Sequence, residues 1–146
     1  MTAGPASLAG RERTADELAQ KVVRAMVEGD IDAYIDVSAT DVLLDLVVPF
    51  WRYQLVGHDA LRLAFAEEFL PGREVVEQHV TRTADGVLIE LGATGLQDGQ
   101  RVTWWDIHHI RFRDGDVSEH IAYCSGLLDD DQLRRQQVEA PWVRQR

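Results

Sequence analysis

The sequence predicts an α+β fold in which three to four helices pack on a strongly curved antiparallel sheet. Two observations carry this prediction. Apolar residues recur at helical spacing in the first half of the 146-residue chain, whereas β-type segments follow one another behind tight-turn signals in the second half. The two types are therefore segregated along the chain, and segregation is typical of α+β domains rather than of parallel α/β folds.

The first helix begins after Thr14, which forms a capping box with Glu17. Gly29 occupies the position expected of a glycine that ends a helix. Between them, one apolar stripe recurs at helical spacing: Leu18, Val22, Ala25 and Met26. A second, shorter helix fits residues 31–38, with its buried side formed by Ile31, Tyr34 and Ile35.

A strand over 42–48 ends at Pro49, which cannot donate to a central ladder. An aromatic-rich link, 50–53, follows. Gly57 opens a third helix, which Pro71-Gly72 ends. The stripe of this helix consists of Leu61, Phe65 and Phe69.

Four strands and a helix complete the chain. The strands are expected at 74–83, 87–95, 100–112 and 116–124, and the helix at about 128–138. The segments between strands are Ala84-Asp85-Gly86, Asp98-Gly99 and Asp114-Gly115, and Asp-Gly is a strong hairpin signal. We therefore expect one domain over 14–138, a disordered tail over 1–13 and a C-terminal tail over 139–146.

Composition limits the possible partners. The net charge of −10 disfavours binding to nucleic acid or to an anionic membrane surface. The first residues contain neither a basic segment nor a long apolar one, so a cytoplasmic location is expected. The lone cysteine, Cys124, excludes an internal disulfide and is interpreted as a small buried residue.

Three segments resemble the SnoaL-like branch of the NTF2-like superfamily. They are Gly-Asp-Ile-Asp-Ala-Tyr at 29–34 with Asp41-Val42, Pro49 with Gly-His-Asp-Ala-Leu at 57–61, and Ile-Arg-Phe-Arg-Asp-Gly-Asp-Val-Ser-Glu-His at 110–120. The resemblance implies a cone, which is a bent sheet curled around a pocket. Relatives include ketosteroid isomerases, polyketide cyclases, epoxide hydrolases of the limonene type, dehydratases and plain binding modules. Most of the enzymes work without a cofactor.

The strand 100–112 holds the candidate chemistry. Its more apolar face has Trp104, Ile110 and Phe112, and we expect this face to line the cone. Asp106 and His108 lie on the same face. A carboxylate and an imidazole are costly in such surroundings unless they are paired or functional, so both are candidate catalytic residues, although a structural buried pair remains the alternative.

His120 is the third candidate, and its direction depends on the hairpin at Asp114-Gly115. A two-residue turn would place Ile121 beside His108 and send His120 outward. A three-residue loop would instead place His120 opposite His108 and Ala122 opposite Asp106. The family resemblance favours the second arrangement. Two imidazoles and a carboxylate around one cavity suit acid–base work, because histidine titrates near neutral pH.

The chain departs from the mechanisms of its relatives. Cyclases of the SnoaL type have an acid two residues after the histidine of the last strand, where this chain has Ala122. The base of ketosteroid isomerases precedes the proline after the first strand, where this chain has Val48. The isomerase tyrosine of the first helix corresponds to a position near Val22. Asp45 could replace the missing base only through a shift in register.

The predicted substrate contacts comprise Trp104, Tyr53, Trp51, Arg52, Phe65, Ile110, Ala122 and Tyr34. Arg52 could hold an anionic group of a ligand at the rim. Although Asp106, His108 and His120 could supply three metal ligands, the resemblance favours no metal and no cofactor. The opposite face of the strand 100–112 is apolar enough to predict a homodimer through it; it has Trp105, Ile107, His109 and Arg111.

The leading hypothesis is an acid–base enzyme of specialised, polyketide-type metabolism, including antibiotic biosynthesis. It would be an isomerase, cyclase, dehydratase or epoxide-opening enzyme, acting on an apolar oxygenated substrate in a deep, mostly apolar pocket. Two alternatives stay open. One is a non-catalytic module that binds a small hydrophobic ligand, and the other is a dimeric adaptor.

Overall fold

The structure, a computed structural model, describes residues 13–144, apart from the side chain of Glu67. Its helices are α1 (Ala15–Glu28), α2 (Ile31–Asp36), α3 (His58–Glu68) and α4 (Asp130–Glu139). Its strands are β1 (Ser38–Val48), β2 (Trp51–Val56), β3 (Glu74–Thr83), β4 (Gly86–Gln97), β5 (Gln100–Arg113), β6 (Asp116–Cys124) and β7 (Leu128–Asp129). Four helices on one bent sheet confirm the predicted α+β class.

The sheet has the order β2-β1-β6-β5-β4-β3, and β7 pairs with β5. It is mixed, which corrects the expectation of a purely antiparallel sheet, because β6 returns from the β3–β5 meander and lies parallel to β1. The segment 50–53, expected as a link, belongs largely to β2. Phe50 adopts a φ of 67°, and this conformation allows a tight turn after Pro49 that folds β2 back on β1.

Helices α1, α2 and α3 cover one face of the sheet, here called the inner face, whereas α4 has no buried residue and contacts β5 and β7. Thr14 and Glu17 form the predicted capping box at the start of α1. The predicted stripe of this helix is buried, as are Tyr34 of α2 and Phe65 of α3, in a single core cluster with Ile89 and Ile110 of the sheet. α2 is shorter than predicted, because Ser38 enters β1 and its hydroxyl donates 2.7 Å to the carbonyl of Tyr34.

The curvature of the sheet has local causes. Register shifts interrupt three strand pairs, between Ser38 and Leu43 of β1, between Val75 and Glu77 of β3, and between Arg111 and Phe112 of β5. An extra residue in one strand bends it and increases its twist. The third of these shifts lies in the hairpin that brings β6 to the candidate site.

The predicted N-terminal tail, 1–13, lies outside the described residues except for Arg13. This guanidinium forms an ion pair with Asp116 and donates to the carbonyl of Gly115 at 3.2 Å. In the predicted C-terminal tail, Trp142 packs edge-to-face on Trp105 of the outer sheet face, with ring centroids 5.8 Å apart. None of the helices between residues 13 and 144 is long and apolar enough to cross a membrane.

Candidate active site

The inner face of β5 carries two polar side chains inside an apolar surface. Asp106 and His108 lie between Trp104 and Ile110 on this face, because every second side chain of a strand points to the same side. All four side chains are buried, and His108 has no exposed surface. Burial of an aspartate and a histidine on one face is costly unless each has a partner.

The β5–β6 hairpin places His120 on the same face, but not by either predicted register. The turn is the two-residue type, with Asp114 and Gly115 both at positive φ, so the expected three-residue loop is wrong. Ser118 is then an extra residue in β6 between the pairs Arg111–Glu119 and Phe112–Val117. This bulge reverses the side-chain direction beyond it, so His120 is buried opposite Ile110.

Five side chains form a continuous chain of polar contacts through the core. Nε2 of His108 lies 3.1 Å from Oε1 of Glu68 and 3.6 Å from Oδ2 of Asp106. Its Nδ1 lies 2.8 Å from Nε2 of His120. Nδ1 of His120 in turn lies 2.6 Å from the hydroxyl of Tyr34. Helices α2 and α3 and strands β5 and β6 therefore all contribute to one buried system, here called the relay.

The two imidazoles are held in different charge states, because His108 is charged and His120 is neutral. Burial opposes a charge on His108, but the carboxylates of Glu68 and Asp106 outweigh it and raise its pKa to about 10. Burial lowers the pKa of His120 well below 6.5, and the neighbouring charge of His108 lowers it further. One proton therefore resides on His108, and His120 stays neutral.

The charge states fix the direction of the hydrogen bonds. A protonated His108 has N–H groups at both ring nitrogens, so it donates from Nδ1 to Nε2 of His120. The single proton of His120 must then be on Nδ1, where it donates to the oxygen of Tyr34. Burial raises the pKa of Tyr34 well above 10, so the tyrosine stays neutral and can accept this bond.

The two carboxylates differ from each other. Burial raises the pKa of Glu68 despite the opposing effect of His108. Burial also acts to raise the pKa of Asp106, but hydrogen bonding and attraction to His108 outweigh it, so the net pKa of Asp106 is lowered. When two environments shift the pKa values of a pair of acids apart, the two acids can take different roles. Glu68 is the carboxyl group that accepts a proton more readily, and Asp106 is the one that stays ionised.

Two further groups border the acids. Burial, and next the Asp106 charge, raise the pKa of the Cys124 thiol to about 12, and the residue is half-buried where a small buried residue was predicted. Arg73 donates to the carbonyls of Met26 and Val27 at the end of α1, and its guanidinium carbon lies 4.9 Å from the ring centre of Phe69. Its positive charge acts on both Glu68 and Asp106.

Glu68, Asp106 and His108 are also the residues that come closest to a cation site. One potential ligand atom from each lies within 4.8 Å of the others. The predicted trio of Asp106, His108 and His120 does not converge in this way, because His120 contacts only the far nitrogen of His108. In the relay, the positive charge between the two carboxylates is the imidazolium of His108.

The predicted substrate contacts fall into two groups. Trp104, Phe65, Ile110, Ala122 and Tyr34 lie on the inner face, as expected, but they are at most 5% exposed. They form packed core rather than the wall of an open cavity. The sequence predicted a deep pocket here, and the large side chains of α3 and β5 fill that space instead.

The second group lies on β2. Trp51 is 70% exposed, and Tyr53 is half-buried opposite Leu46. Arg52 does not point toward an inner ligand, because its Nε and Nη2 donate to the buried carboxylate of Asp45 at 3.0 and 2.8 Å. Asp45 lies on the opposite face of β1 from Leu44, the neighbour of His120, so no register shift brings it to the relay.

A groove in the described part of the chain lies elsewhere, mainly over the outer face. Its volume is about 760 Å³, and it runs between the sheet and the C-terminal segment. Apolar residues dominate its walls, among them Trp105, Ile107, Tyr123 and Trp142. Asp106 and Cys124 line it as well, so this groove reaches one end of the relay.

Glu68 is the member of the relay that was not predicted from the sequence. The signal was present, because Leu61, Phe65 and Glu68 recur at i, i+4 and i+7 on one face of α3. A carboxylate at a core position of an apolar stripe requires a buried partner. Phe69, expected on this stripe, instead follows the last turn of α3 and stacks on Phe65.

Comparison with known proteins agrees with the architecture. The family model of the SnoaL-like domain matches residues 19–120. The chain belongs to the SnoaL-like family. The match extends from α1 to His120 and so includes every residue of the relay. The comparison with curated proteins finds no match.

Solved structures of other proteins share the fold at low identity. A candidate polyketide cyclase from Xanthomonas campestris pv. campestris is 23% identical over 75% of this chain and 88% of its own, with a TM-score of 0.58. The epoxide hydrolase/cyclase-like enzyme SalBIII, of pyran ring formation in the polyether salinomycin, is 18% identical over 76% and 90%, with a TM-score of 0.60. An epoxide hydrolase from M. tuberculosis is 17% identical over 85% and 89%, with a TM-score of 0.58.

Proposed function

We propose that this SnoaL-like protein is a cofactor-independent acid–base enzyme. Its substrate would be a small, apolar, oxygenated molecule of specialised, polyketide-type metabolism, and its reaction an isomerisation, cyclisation, dehydration or epoxide opening. The observation that carries the proposal is the relay itself, in which a buried imidazolium lies between two carboxylates. The names of the similar structures, a cyclase and two epoxide-opening enzymes, support the same range of chemistry.

The relay suits proton transfer for electrostatic reasons. His108 holds a proton that the surrounding carboxylates stabilise, and Asp106 remains ionised beside it. An acid and a base are thus present at one place, which each reaction in the proposed range requires. His120 accepts a hydrogen bond from His108 and fixes its ring, as the third group of a catalytic triad orients its base.

The second candidate function is a non-catalytic binding module, and one observation favours it. The inner face is packed with side chains, and the described groove lies mainly over the outer face. In that case the relay would be a structural network and the groove would hold a hydrophobic ligand. Both candidates place a small apolar molecule on this protein, so they differ only in whether bonds change.

The distinguishing experiment begins with the ligand. Native mass spectrometry of the purified protein, followed by organic extraction, identifies what co-purifies, and that molecule is then incubated with the enzyme. Asp106→Asn and His108→Gln are expected to retain the fold by circular dichroism and to lose turnover by about 100-fold or more, as removal of an acid–base group does. His109→Gln, one residue along β5 on the outer face, is the matched control and should keep full activity. Full turnover in both relay variants contradicts the proposal, and an unchanged bound molecule in the wild type supports the binding module.

A further inference from the structure

Access to solvent is graded along the relay. The side chain of Glu68 is 17% exposed and that of Asp106 is 4% exposed, whereas His108, His120 and Tyr34 are completely buried. A molecule outside the core therefore cannot touch either imidazole without moving other side chains. The relay reaches the surface at its carboxylate end, where Glu68 is the more exposed group and Asp106 borders the groove over the outer face.

Glu68 also violates a local rule of helix design. It is the last residue of α3, and a negative charge at a helix C-terminus is unfavourable because the helix dipole is negative there. The last turn contains no basic residue to offset it. Local conflicts of this kind concentrate at functional sites.

The position of Glu68 is fixed from both sides. Phe65, one turn earlier, packs on Tyr34 and on His120, with ring centroids 5.5 and 5.4 Å away. Phe69, the next residue, lies beneath the guanidinium of Arg73, which is bonded to the end of α1. The carboxylate is therefore anchored rather than placed on a free loop.

The contact between Glu68 and His108 is suited to the transfer of a proton. Oε1 of Glu68 and Nε2 of His108 are 3.1 Å apart and buried, yet neither forms a hydrogen bond of good geometry with any described residue. A buried polar pair this close gains from any small movement that aligns a proton between them. Asp106, on the other side of Nε2, holds the imidazolium in place by charge.

We propose that Glu68 is the residue through which the buried histidines exchange their proton with a bound ligand, while His108 and His120 act behind it as positioning and proton-holding residues. The inference rests on the proposed acid–base function and assigns its point of contact. In the forward step, the Nε2 proton of His108 moves to Oε1 of Glu68, which leaves His108 neutral and Glu68 a carboxylic acid. Glu68 then gives this proton to a ligand oxygen and becomes a carboxylate again. Return of a proton from the product reverses both transfers, so no proton is gained or lost.

Water serves as the probe, because a proton that His108 exchanges with water would pass through Glu68, as a proton given to a ligand would. Exchange of the His108 ring protons with water is measured by nuclear magnetic resonance on the full chain labelled with ¹⁵N-histidine. Glu68→Gln should slow this exchange by about tenfold or more, the low end of what a positioned acid–base group contributes. Glu68→Asp, which keeps a carboxylate, should restore part of the rate and covers the case in which the glutamine variant does not fold. Glu74→Gln, on exposed β3 surface, is the matched control and should leave the rate unchanged.

An exchange rate in Glu68→Gln equal to or faster than that of the wild type overturns the inference, since the glutamate would then have only a packing role at the edge of the core. The failure of this inference and that of the proposed function are distinguishable. Unchanged exchange in Glu68→Gln, with turnover lost in Asp106→Asn, overturns the role of Glu68 alone. Slowed exchange in Glu68→Gln, with full turnover in Asp106→Asn, overturns the proposed function alone.

Discussion

Nδ1 of His108 lies 2.8 Å from Nε2 of His120, with the two rings nearly perpendicular and both completely buried. The pair works as a unit because a charge on one ring excludes a charge on the other. Carboxylates surround His108, whereas Tyr34 and Phe65 surround His120. The proton therefore belongs to His108, and the remaining contacts follow from that assignment.

Removal of the Tyr34 hydroxyl should destabilise the protein without unfolding it. Tyr34→Phe leaves Nδ1 of His120 buried with no described partner, which costs about 1–3 kcal/mol. Urea unfolding measures the loss, and Tyr53→Phe on β2, outside the relay, is the control. Equal free energies of unfolding for Tyr34→Phe and the wild type would mean that His120 does not depend on this bond.

The free energy of unfolding should fall on the alkaline side because of His108. Its folded pKa of about 10 exceeds its ordinary value of 6.5, so its contribution is full below 6.5 and disappears as the pH rises through about 10. His120 acts in the opposite sense. Its lowered pKa means that the unfolded chain binds the proton first, so stability decreases as the pH falls below 6.5.

Urea titrations at a series of pH values test both slopes. The difference in free energy between the wild type and His108→Gln should shrink toward pH 10, whereas the His120→Gln variant should lose the acid slope. A wild-type profile identical in shape to that of His108→Gln contradicts the assignment of the proton.

The pair of Asp45 and Arg52 should matter for stability but not for activity. Asp45 is buried on the opposite face of β1 from the relay, so Arg52→Ala should lower the free energy of unfolding, because the buried carboxylate then loses its charged partner and keeps the hydrogen bond from Gln54. Asp45→Asn should retain turnover of the identified ligand. Loss of turnover in Asp45→Asn at unchanged fold would restore Asp45 as a candidate base.

The outer face should mediate a homodimer. Ile107 and Tyr123 remain 42% and 51% exposed, and such apolar surface favours association. Light scattering coupled to size exclusion should give twice the chain mass of 16.5 kDa for the wild type and the single mass for Ile107→Asp. Val138→Asp, on exposed α4, is the control. A wild-type mass of one chain contradicts the dimer.

The sequence was sufficient for five of the seven strands and for most of the helices, because hydrophobic period and Asp-Gly turns are local signals. It did not predict β2, which was expected as a link, or β7, which lies inside the predicted last helix. It also placed Asp106 and His108 on the inner face correctly, since alternation along β5 has no interruption. His120 was predicted on the inner face, but from a three-residue loop that the structure does not contain. The bulge at Ser118, which turns His120 inward, depends on how β6 pairs with both β1 and β5, and the sequence does not specify this pairing locally.

Two features needed the three-dimensional structure. The contact of Glu68 with His108 joins residues 40 positions apart on a helix and a strand, and no local pattern specifies it. The packing of the interior depends on how Phe65, Trp104 and Tyr34 fit together, which a sequence pattern shows only as apolar positions. For the same reason, Arg52 was expected at a pocket rim and instead pairs with Asp45.

The ¹⁵N spectrum of the His108 ring at neutral pH tests the central claim most directly. A buried imidazolium between Glu68 and Asp106 predicts that both ring nitrogens carry protons, while His120 shows one protonated and one bare nitrogen. A bare nitrogen on His108 at neutral pH would contradict the account, because the relay would then hold no proton to transfer.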